Sequence, residues 1–347
     1  GTKAHNVAVQ PVFLNKTILL ARRFSPHNPG HVLLENALPL EALGAVWGVE
    51  AIHDRVILFD DDCFDTSPAT VHWFEGWHNL NRLQHLCDVF THKFISPLSS
   101  VPVQTYKHLQ SLEGGTQEGQ QEGSSRYLLL SEVLVGLGNF SPYGYSAKSQ
   151  EWWHLIFKSV NQYREKVYRF EGVAVRDSEK DPKPILTFIY KLGRRSAVNY
   201  INILSFLNEW CGRHGYLLRF MNLAAVTSAY QTQLLADTAV LVTCGGSDFT
   251  AALLLPPRTP VVVFTLLQSD TTGKVHEIEF ELYTWAAMLN VYRYSDYEGR
   301  KVSEWELEPD PVPSEDTYDS TRSMSYHVNL SVLDAMLAHV LQQLAAD

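Results

Sequence analysis

The sequence lacks any apolar run that reaches about 18 residues, the shortest length that spans a bilayer as a helix. The 347 residues therefore contain no membrane-spanning segment, and they show no signal peptide. The chain opens with Gly-Thr-Lys-Ala, which is typical of an internal start.

Cysteine and positive charge are also scarce. Four cysteines, at positions 63, 87, 211 and 244, are too few for a disulfide scaffold, and the lack of a Cys-x-x-Cys spacing argues against zinc. The net charge of −10, with no long basic stripe, argues against a nucleic-acid partner. A local basic pocket is still possible at Arg194 and Arg195.

Alternating strand and helix patterns fill the first half of the chain. Strands are predicted at 16–22, 55–59 and 127–138, and helices at 31–49, 80–94 and 149–169. The stretch 111–126 is rich in Gly, Gln and Glu, and we interpret it as a disordered loop within this domain. Strand, helix and strand in succession predict a parallel βαβ arrangement.

The second half alternates in the same way. Strands are predicted at 184–190, 215–220, 240–243 and 260–266, and helices at 197–212, 228–236, 249–255 and 330–344. The sequence therefore predicts an α/β protein with domains at 1–180 and 181–325, the second holding a doubly wound parallel sheet. The C-terminal helix, at 326–347, can pack back on the first domain. A ligand cleft is expected between the domains.

The segment 237–256 is the most informative part of the chain. A buried strand stops at Cys244, and a turn of small residues, Gly245, Gly246 and Ser247, leads through Asp248 into a second apolar run. Such a turn presents backbone N–H groups to a phosphate. The alternative interpretation is a tight helix entry with Ser247 or Asp248 as the N-cap.

Three cations follow the strand at 184–190 directly. Lys191, Arg194 and Arg195 stand where a loop faces the ligand crevice of an open sheet, and they are suited to neutralising a diphosphate. The alternative is an ordinary solvated loop.

Acidic residues and histidine give three further candidate sites. His31 and Glu35 are four residues apart, so a helix places them on one face, where they suit acid–base work or a simple surface pairing. Asp60 to Asp62 resembles an Asp-x-Asp metal motif, but we favour a solvated strand exit because the cationic loop neutralises phosphates without metal. Glu277, Glu279 and Glu281 alternate on one strand face, which suits ribose binding or a solvent-facing edge equally.

Two sequons permit N-glycosylation if the chain is lumenal. They are Asn15-Lys16-Thr17 and Asn329-Leu330-Ser331.

Several motifs, in order, resemble glycosyltransferase family 61 over about residues 26–294. The family's N-x-x-H-x-x-x-acid-x-x-x-Pro pattern corresponds to Asn28, His31, Glu35 and Pro39. In a second pattern of the family, a cation is followed four residues later by Arg and four residues after that by Asn. This pattern corresponds to Lys191, Arg195 and Asn199, with Lys where the family usually has Arg. Gln231 matches the family's Gln-containing helix. Its His-Gly-Ala-x-x-Thr/Asn pattern corresponds to residues 245–250, with Thr250 at the Thr/Asn position. Here Gly245 stands in place of the family's histidine and Ser247 in place of its alanine. His276 is a candidate to take over the role of that histidine.

The resemblance implies a GT-B fold, with two Rossmann-like domains facing a central cleft, and inverting chemistry without a metal cofactor. It also implies a type II membrane protein of the ER or Golgi lumen, whose anchor would precede this chain. Members include the EGF-domain O-GlcNAc transferase, the O-mannose β1,4-GlcNAc transferase and plant xylan glycosyltransferases.

Together these patterns predict a glycosyltransferase that moves a sugar from a nucleotide sugar, UDP-linked, to a hydroxyl of a protein or glycan. Glu35 and His31 are the candidate catalytic residues. The candidate donor-binding residues are Lys191, Arg194, Arg195, Asn199, Gly245, Gly246, Ser247, Asp248, Thr250 and Glu279. Two alternatives stay open: a metal-dependent transferase that uses Asp60 to Asp62, and a degenerate relative that binds glycan or nucleotide without turnover.

Overall fold

The computed structural model describes residues 11–21, 23, 30, 32–49, 52–59, 80–105, 127–135, 150–174, 183–192, 196–269, 272–277, 290–309 and 322–346. Contacts divide the chain into two units. The first comprises Gly1–His72 and Asn79–Phe140, and the second comprises Trp73–His78 and Ser141–Asp347. The helix at 150–170, which the sequence analysis assigned to the first domain, thus belongs to the second unit.

The described chain alternates strands with helices, as an α/β protein does. The strands are β1 (Pro11–Ala21), β2 (Arg55–Phe59), β3 (Gln104–Thr105), β4 (Tyr127–Val135), β5 (Ile185–Ile189), β6 (Leu217–Met221), β7 (Val240–Cys244), β8 (Pro260–Phe264), β9 (Leu267–Ser269), β10 (Val275–Glu277), β11 (Asn290–Arg293), β12 (Leu307–Pro309) and β13 (Arg322–Tyr326). The α-helices are α1 (Leu38–Val46), α2 (Leu80–Phe90), α3 (Gln150–Phe170), α4 (Tyr200–His214), α5 (Ser228–Ala236), α6 (Ser295–Glu298) and α7 (Leu330–Ala346). Val32–Ala37 and Thr91–Ile95 are π-helical, and Ile52–Asp54, Ser96–Leu98, Leu223–Ala225, Gly246–Leu254 and Val302–Glu304 form 3₁₀ helices.

The first unit contains a parallel sheet in the order β3-β2-β1-β4. Every residue of β2 is buried, and all but Arg55 are apolar, as expected of a parallel strand that is covered on both faces. The chain moves outward from β1 to β2 and β3 and then returns to the other side of β1 with β4. The sheet therefore reverses its strand order between β1 and β4.

A buried ion pair fixes helix α1 against strand β2. The Arg55 guanidinium donates to Glu41 Oε2 at 2.5 Å and to the carbonyl oxygens of Leu98 and Val49 at 2.7 and 3.2 Å. A Cβ at Gly44 would lie 2.4 Å from Arg55 Nη1, closer than real Cβ atoms approach, so only glycine fits there. Both charged side chains are fully buried, and their mutual pairing makes this burial tolerable.

The second unit contains a parallel sheet in the order β11-β8-β7-β5-β6. Its three central strands, β5, β7 and β8, are buried along their whole length. The chain passes from β5 to β6 on one side and then to β7 on the other, so the strand order reverses between β5 and β7. The α/β class and the parallel sheet predicted from the sequence are confirmed.

Helix α7 packs within the second unit. Its apolar residues Leu333, Met336, Leu337 and Val340 are buried in the same core as the central strands. A small antiparallel sheet, in the order β10-β9-β13-β12, belongs to this unit too. No helix in the described part of the chain is long and apolar enough to cross a bilayer.

Candidate functional site

The carboxyl ends of β5 and β7 bring two of the predicted motifs side by side. Lys191 follows β5 by two residues, and Gly245 and Gly246 follow β7 directly. The two strands are hydrogen-bonded neighbours at the point where the strand order reverses. In open α/β sheets this position is where ligands bind, outside the carboxyl ends of the strands.

The Lys191 ammonium lies beside the backbone of Gly246. A Cβ built on Gly246 would lie 3.9 Å from Lys191 Nζ and 3.9 Å from Leu266 Cδ1. Residue 246 has a φ of 86°, in the left-handed region that glycine adopts readily. Lys191 and the Gly-Gly turn, 55 positions apart in the sequence, therefore form one cluster.

The turn begins a 3₁₀ helix, Gly246–Leu254, whose N-cap is Gly245. The sequence allowed Ser247 or Asp248 as the N-cap, and the structure corrects this prediction because both residues lie inside the helix. Among the described side chains, none caps this end, and the Gly245 N–H donates to the Phe264 carbonyl oxygen at 2.8 Å, which joins the turn to β8. Uncapped N–H groups at a helix start attract anions.

Asp248 is the acidic member of the cluster. Burial raises the pKa of its carboxyl above the ordinary 3.8, and the Lys191 charge partly opposes that rise. The side chain is half-buried within the first turn of the 3₁₀ helix. The cluster therefore pairs one cation with one carboxyl group, and Asp248 offsets part of the Lys191 charge.

Cys244 is a buried thiol at the end of β7. Burial raises the pKa of this thiol to about 11, and the nearby backbone amides of Lys191 and Ala197 partly oppose that rise. Cys244 is thus a neutral thiol close to the backbone of the loop that carries Lys191.

The side-chain amide of Asn199 hydrogen-bonds to another segment of the protein. Its Nδ2 donates to the Val328 carbonyl oxygen at 2.9 Å, and its Oδ1 accepts from the Val328 N–H at 2.9 Å. Ser196 and Ala197 also contact the neighbouring strand β13, through Ser325 and Tyr326. The structure therefore gives Asn199 a structural contact, and its predicted contact with the donor stays a prediction.

Several predicted residues lie outside the described part of the chain. They are His31, Asp60 to Asp62, Arg194, Arg195, Glu279 and Glu281. Glu35 lies within the π-helix Val32–Ala37 and Ser247 within the 3₁₀ helix, but their side chains are outside the described set.

The remaining candidates are placed by the structure. Thr250 is 4% exposed, so its side chain is buried within the 3₁₀ helix. Gln231 donates to the carbonyl oxygens of Leu223 and Val226, which fixes the loop before α5. His276 is exposed and Glu277 half-buried on β10. Among the described residues, no group of three or more His, Cys, Asp or Glu side chains is arranged to hold a metal ion.

Comparison with protein-family models and with curated proteins found no match to this chain.

Proposed function

We propose that the chain is an inverting glycosyltransferase that transfers a sugar from a UDP-linked nucleotide sugar to a hydroxyl of a protein or glycan. One observation carries the proposal: Lys191 Nζ lies beside the bare backbone of Gly246, where the strand order of the second sheet reverses. A cation next to uncapped N–H groups at such a point suits a diphosphate.

The GT-B architecture is part of the proposal. Each unit contains a parallel sheet whose strand order reverses once, between β1 and β4 in the first and between β5 and β7 in the second. Two such sheets are what a pair of Rossmann-like domains requires. The first unit would supply the acceptor side and the second the donor side.

The donor-side residues would stabilise the leaving nucleoside diphosphate. Asp248 offsets part of the Lys191 charge, so the diphosphate needs further cations, which Arg194 and Arg195 of the same loop would supply. The backbone N–H groups of the first turn of the 3₁₀ helix, at 246–248, would add donors as negative charge develops on the leaving oxygen. Asp248 and Glu279 would then bind ribose or base.

On the acceptor side, Glu35 would remove the proton of the attacking hydroxyl, with His31 orienting it or taking that role itself. Glu35 belongs to the π-helix that follows β1, beyond the carboxyl end of a strand at the first reversal point. The hydroxyl oxygen would attack the anomeric carbon in a single in-line displacement as the diphosphate leaves. This scheme requires no metal cofactor.

A lumenal location, in the ER or Golgi, is proposed as well. Cys87 is disulfide-bonded, and disulfides persist in oxidising compartments.

The direct test is a ligand screen followed by a transfer assay. UDP- and GDP-sugars are compared by thermal shift, and the donors that bind are then assayed for sugar release and transfer with and without a chelator. We expect a UDP-sugar to bind and turn over in the presence of chelator, and Glu35→Gln to bind it but lose about 10²–10⁴-fold in rate. Binding without turnover would identify a degenerate relative that binds the nucleotide sugar but does not catalyse transfer. Turnover that the chelator abolishes would identify a metal-dependent enzyme.

A further inference from the structure

The sequon Asn329-Leu330-Ser331 lies at the start of helix α7, on the surface. Asn329 and Ser331 are both exposed, and so are Asp334 and Ala335 on the next turn. The surface around the Asn329 side chain is therefore open.

The two ends of the Asn329 side chain are used differently. Its Oδ1 accepts a hydrogen bond from the Ser331 N–H at 3.0 Å, which caps the helix. Within the described chain, no group hydrogen-bonds to its Nδ2. The backbone N–H of Asn329 donates to the Tyr294 hydroxyl at 2.8 Å, so the backbone is fixed independently of the amide nitrogen.

We propose that Asn329 carries an N-linked glycan on Nδ2. N-glycosylation modifies the side-chain nitrogen of Asn in Asn-x-Ser/Thr, and here that atom is the one that the fold leaves available. The glycosylated amide keeps its oxygen, so the cap on Ser331 is compatible with the glycan. The inference rests on the lumenal location in the proposed function.

The reaction is a substitution at the anomeric carbon of a lipid-diphosphate-linked oligosaccharide. A bond forms between that carbon and Nδ2, and the bond between the carbon and the phosphate oxygen breaks. The lipid diphosphate leaves with the electron pair of the broken bond, and Nδ2 loses one proton to a base of the transferring enzyme.

The other sequon has a different setting. Asn15 lies within β1 at the irregularity between Leu14 and Thr17, where the register of β1 with β4 shifts. We assign the modification to Asn329, whose side chain is exposed and whose amide hydrogen bonds the structure describes.

The test expresses the chain behind a cleavable signal peptide in glycosylating eukaryotic cells, with a reporter sequon in a C-terminal tag. Secreted protein whose tag is glycosylated is treated with an N-glycosidase in heavy-oxygen water, which converts each glycosylated Asn to a heavy-oxygen-labelled Asp. The mass of the peptide that contains residue 329 is then measured by mass spectrometry. We expect heavy-oxygen labelling at Asn329 in wild type, Ser331→Thr and Asn15→Gln, and no glycan in Ser331→Ala or Asn329→Asp. Ser331→Ala keeps the Asn329 cap, and Asn329→Asp keeps a capping oxygen, so both variants should fold.

An unmodified Asn329 peptide in wild-type protein with a glycosylated tag would overturn the inference. The sugar-transfer assay, run on the same secreted wild-type protein, keeps the two proposals apart. Transfer by wild-type protein that carries no glycan at Asn329 overturns this inference alone, whereas a glycan at Asn329 without transfer overturns the proposed function alone.

Discussion

Asn199 holds Val328 by both ends of one amide, with a donated and an accepted hydrogen bond of 2.9 Å each. Val328 is 2% exposed, so its backbone groups depend on this side chain for hydrogen bonding. The contact joins the start of α4 to the segment that leads into α7. Residues 129 positions apart thereby fix the loop that follows β5.

Asn199→Ala should lower the free energy of unfolding, because each buried group left unsatisfied costs about 1–3 kcal/mol. The affinity for UDP, measured by calorimetry below the unfolding transition, should stay within a factor of about three, which corresponds to well under 1.4 kcal/mol. Asn208→Ala, at an exposed position on the same helix, is the control. Unchanged stability together with lost UDP binding would instead support the donor contact that the sequence predicts.

Gly246→Ala should destabilise the protein by about 1–2 kcal/mol, because residue 246 is in the left-handed region. The added Cβ would meet its neighbours at 3.9 Å, an ordinary contact distance, so the cost comes from backbone conformation and not from a clash. Gly212→Ala is the matched control, since this glycine lies in α4 with open space around it, and there alanine should stabilise by about 0.5–1 kcal/mol. Urea unfolding measures both, and a Gly246→Ala variant as stable as wild type would contradict the assigned geometry.

Asp248→Asn should change how stability depends on pH. The folded pKa of Asp248 is raised above 3.8, so its contribution to stability is complete below the unfolded pKa and is lost as the pH rises through the folded pKa. The variant avoids that loss, so it should gain stability relative to wild type between acid and neutral pH. Chemical denaturation across this range is the measurement, with exposed Asp334→Asn as the control. A variant that loses stability relative to wild type as the pH rises would show that the carboxylate form is favoured.

Cys211 and Cys244 should not react with a thiol reagent in the native protein at pH 8. Burial raises the pKa of both thiols to about 11, and the reactive species is the thiolate. Both should react once the protein is unfolded, and Cys244→Ser should remove one of the two signals. Rapid labelling of native protein, assigned to Cys244 by peptide mass spectrometry, would contradict the burial of this thiol.

Local patterns predicted most of the secondary structure in the second unit. Ser228–Ala236 has the bounds that the sequence suggested, and Arg55–Phe59 in the first unit does too. Apolar periodicity and turn residues act over a few positions, which is why these elements are visible in one sequence. Periodicity does not separate α from π or 3₁₀ geometry, so the helices predicted at 31–49, 80–94 and 249–255 overlap the π-helices Val32–Ala37 and Thr91–Ile95 and the 3₁₀ helix Gly246–Leu254.

Long-range pairings were not predictable in the same way. The antiparallel sheet of β9, β10, β12 and β13 consists of strands of three to five residues, too short for a periodic signal, and β13 comes from a distant segment. The neighbourhood of Lys191 and Gly246 followed from the logic of parallel sheets, because both follow adjacent strands. The two hydrogen bonds between the Asn199 side chain and the Val328 backbone join distant segments that no local pattern marks.

Binding of UDP to Lys191 variants, measured by isothermal titration calorimetry, tests the account most directly. Lys191→Ala should weaken UDP binding about 10- to 100-fold, as expected for a charged hydrogen bond of about 1.5–3 kcal/mol, and Lys191→Arg should restore most of it. Lys183→Ala, an exposed lysine before the opposite end of β5, should bind like wild type. If Lys191→Ala binds UDP as tightly as wild type, the diphosphate does not lie beside Gly246 and the account is contradicted.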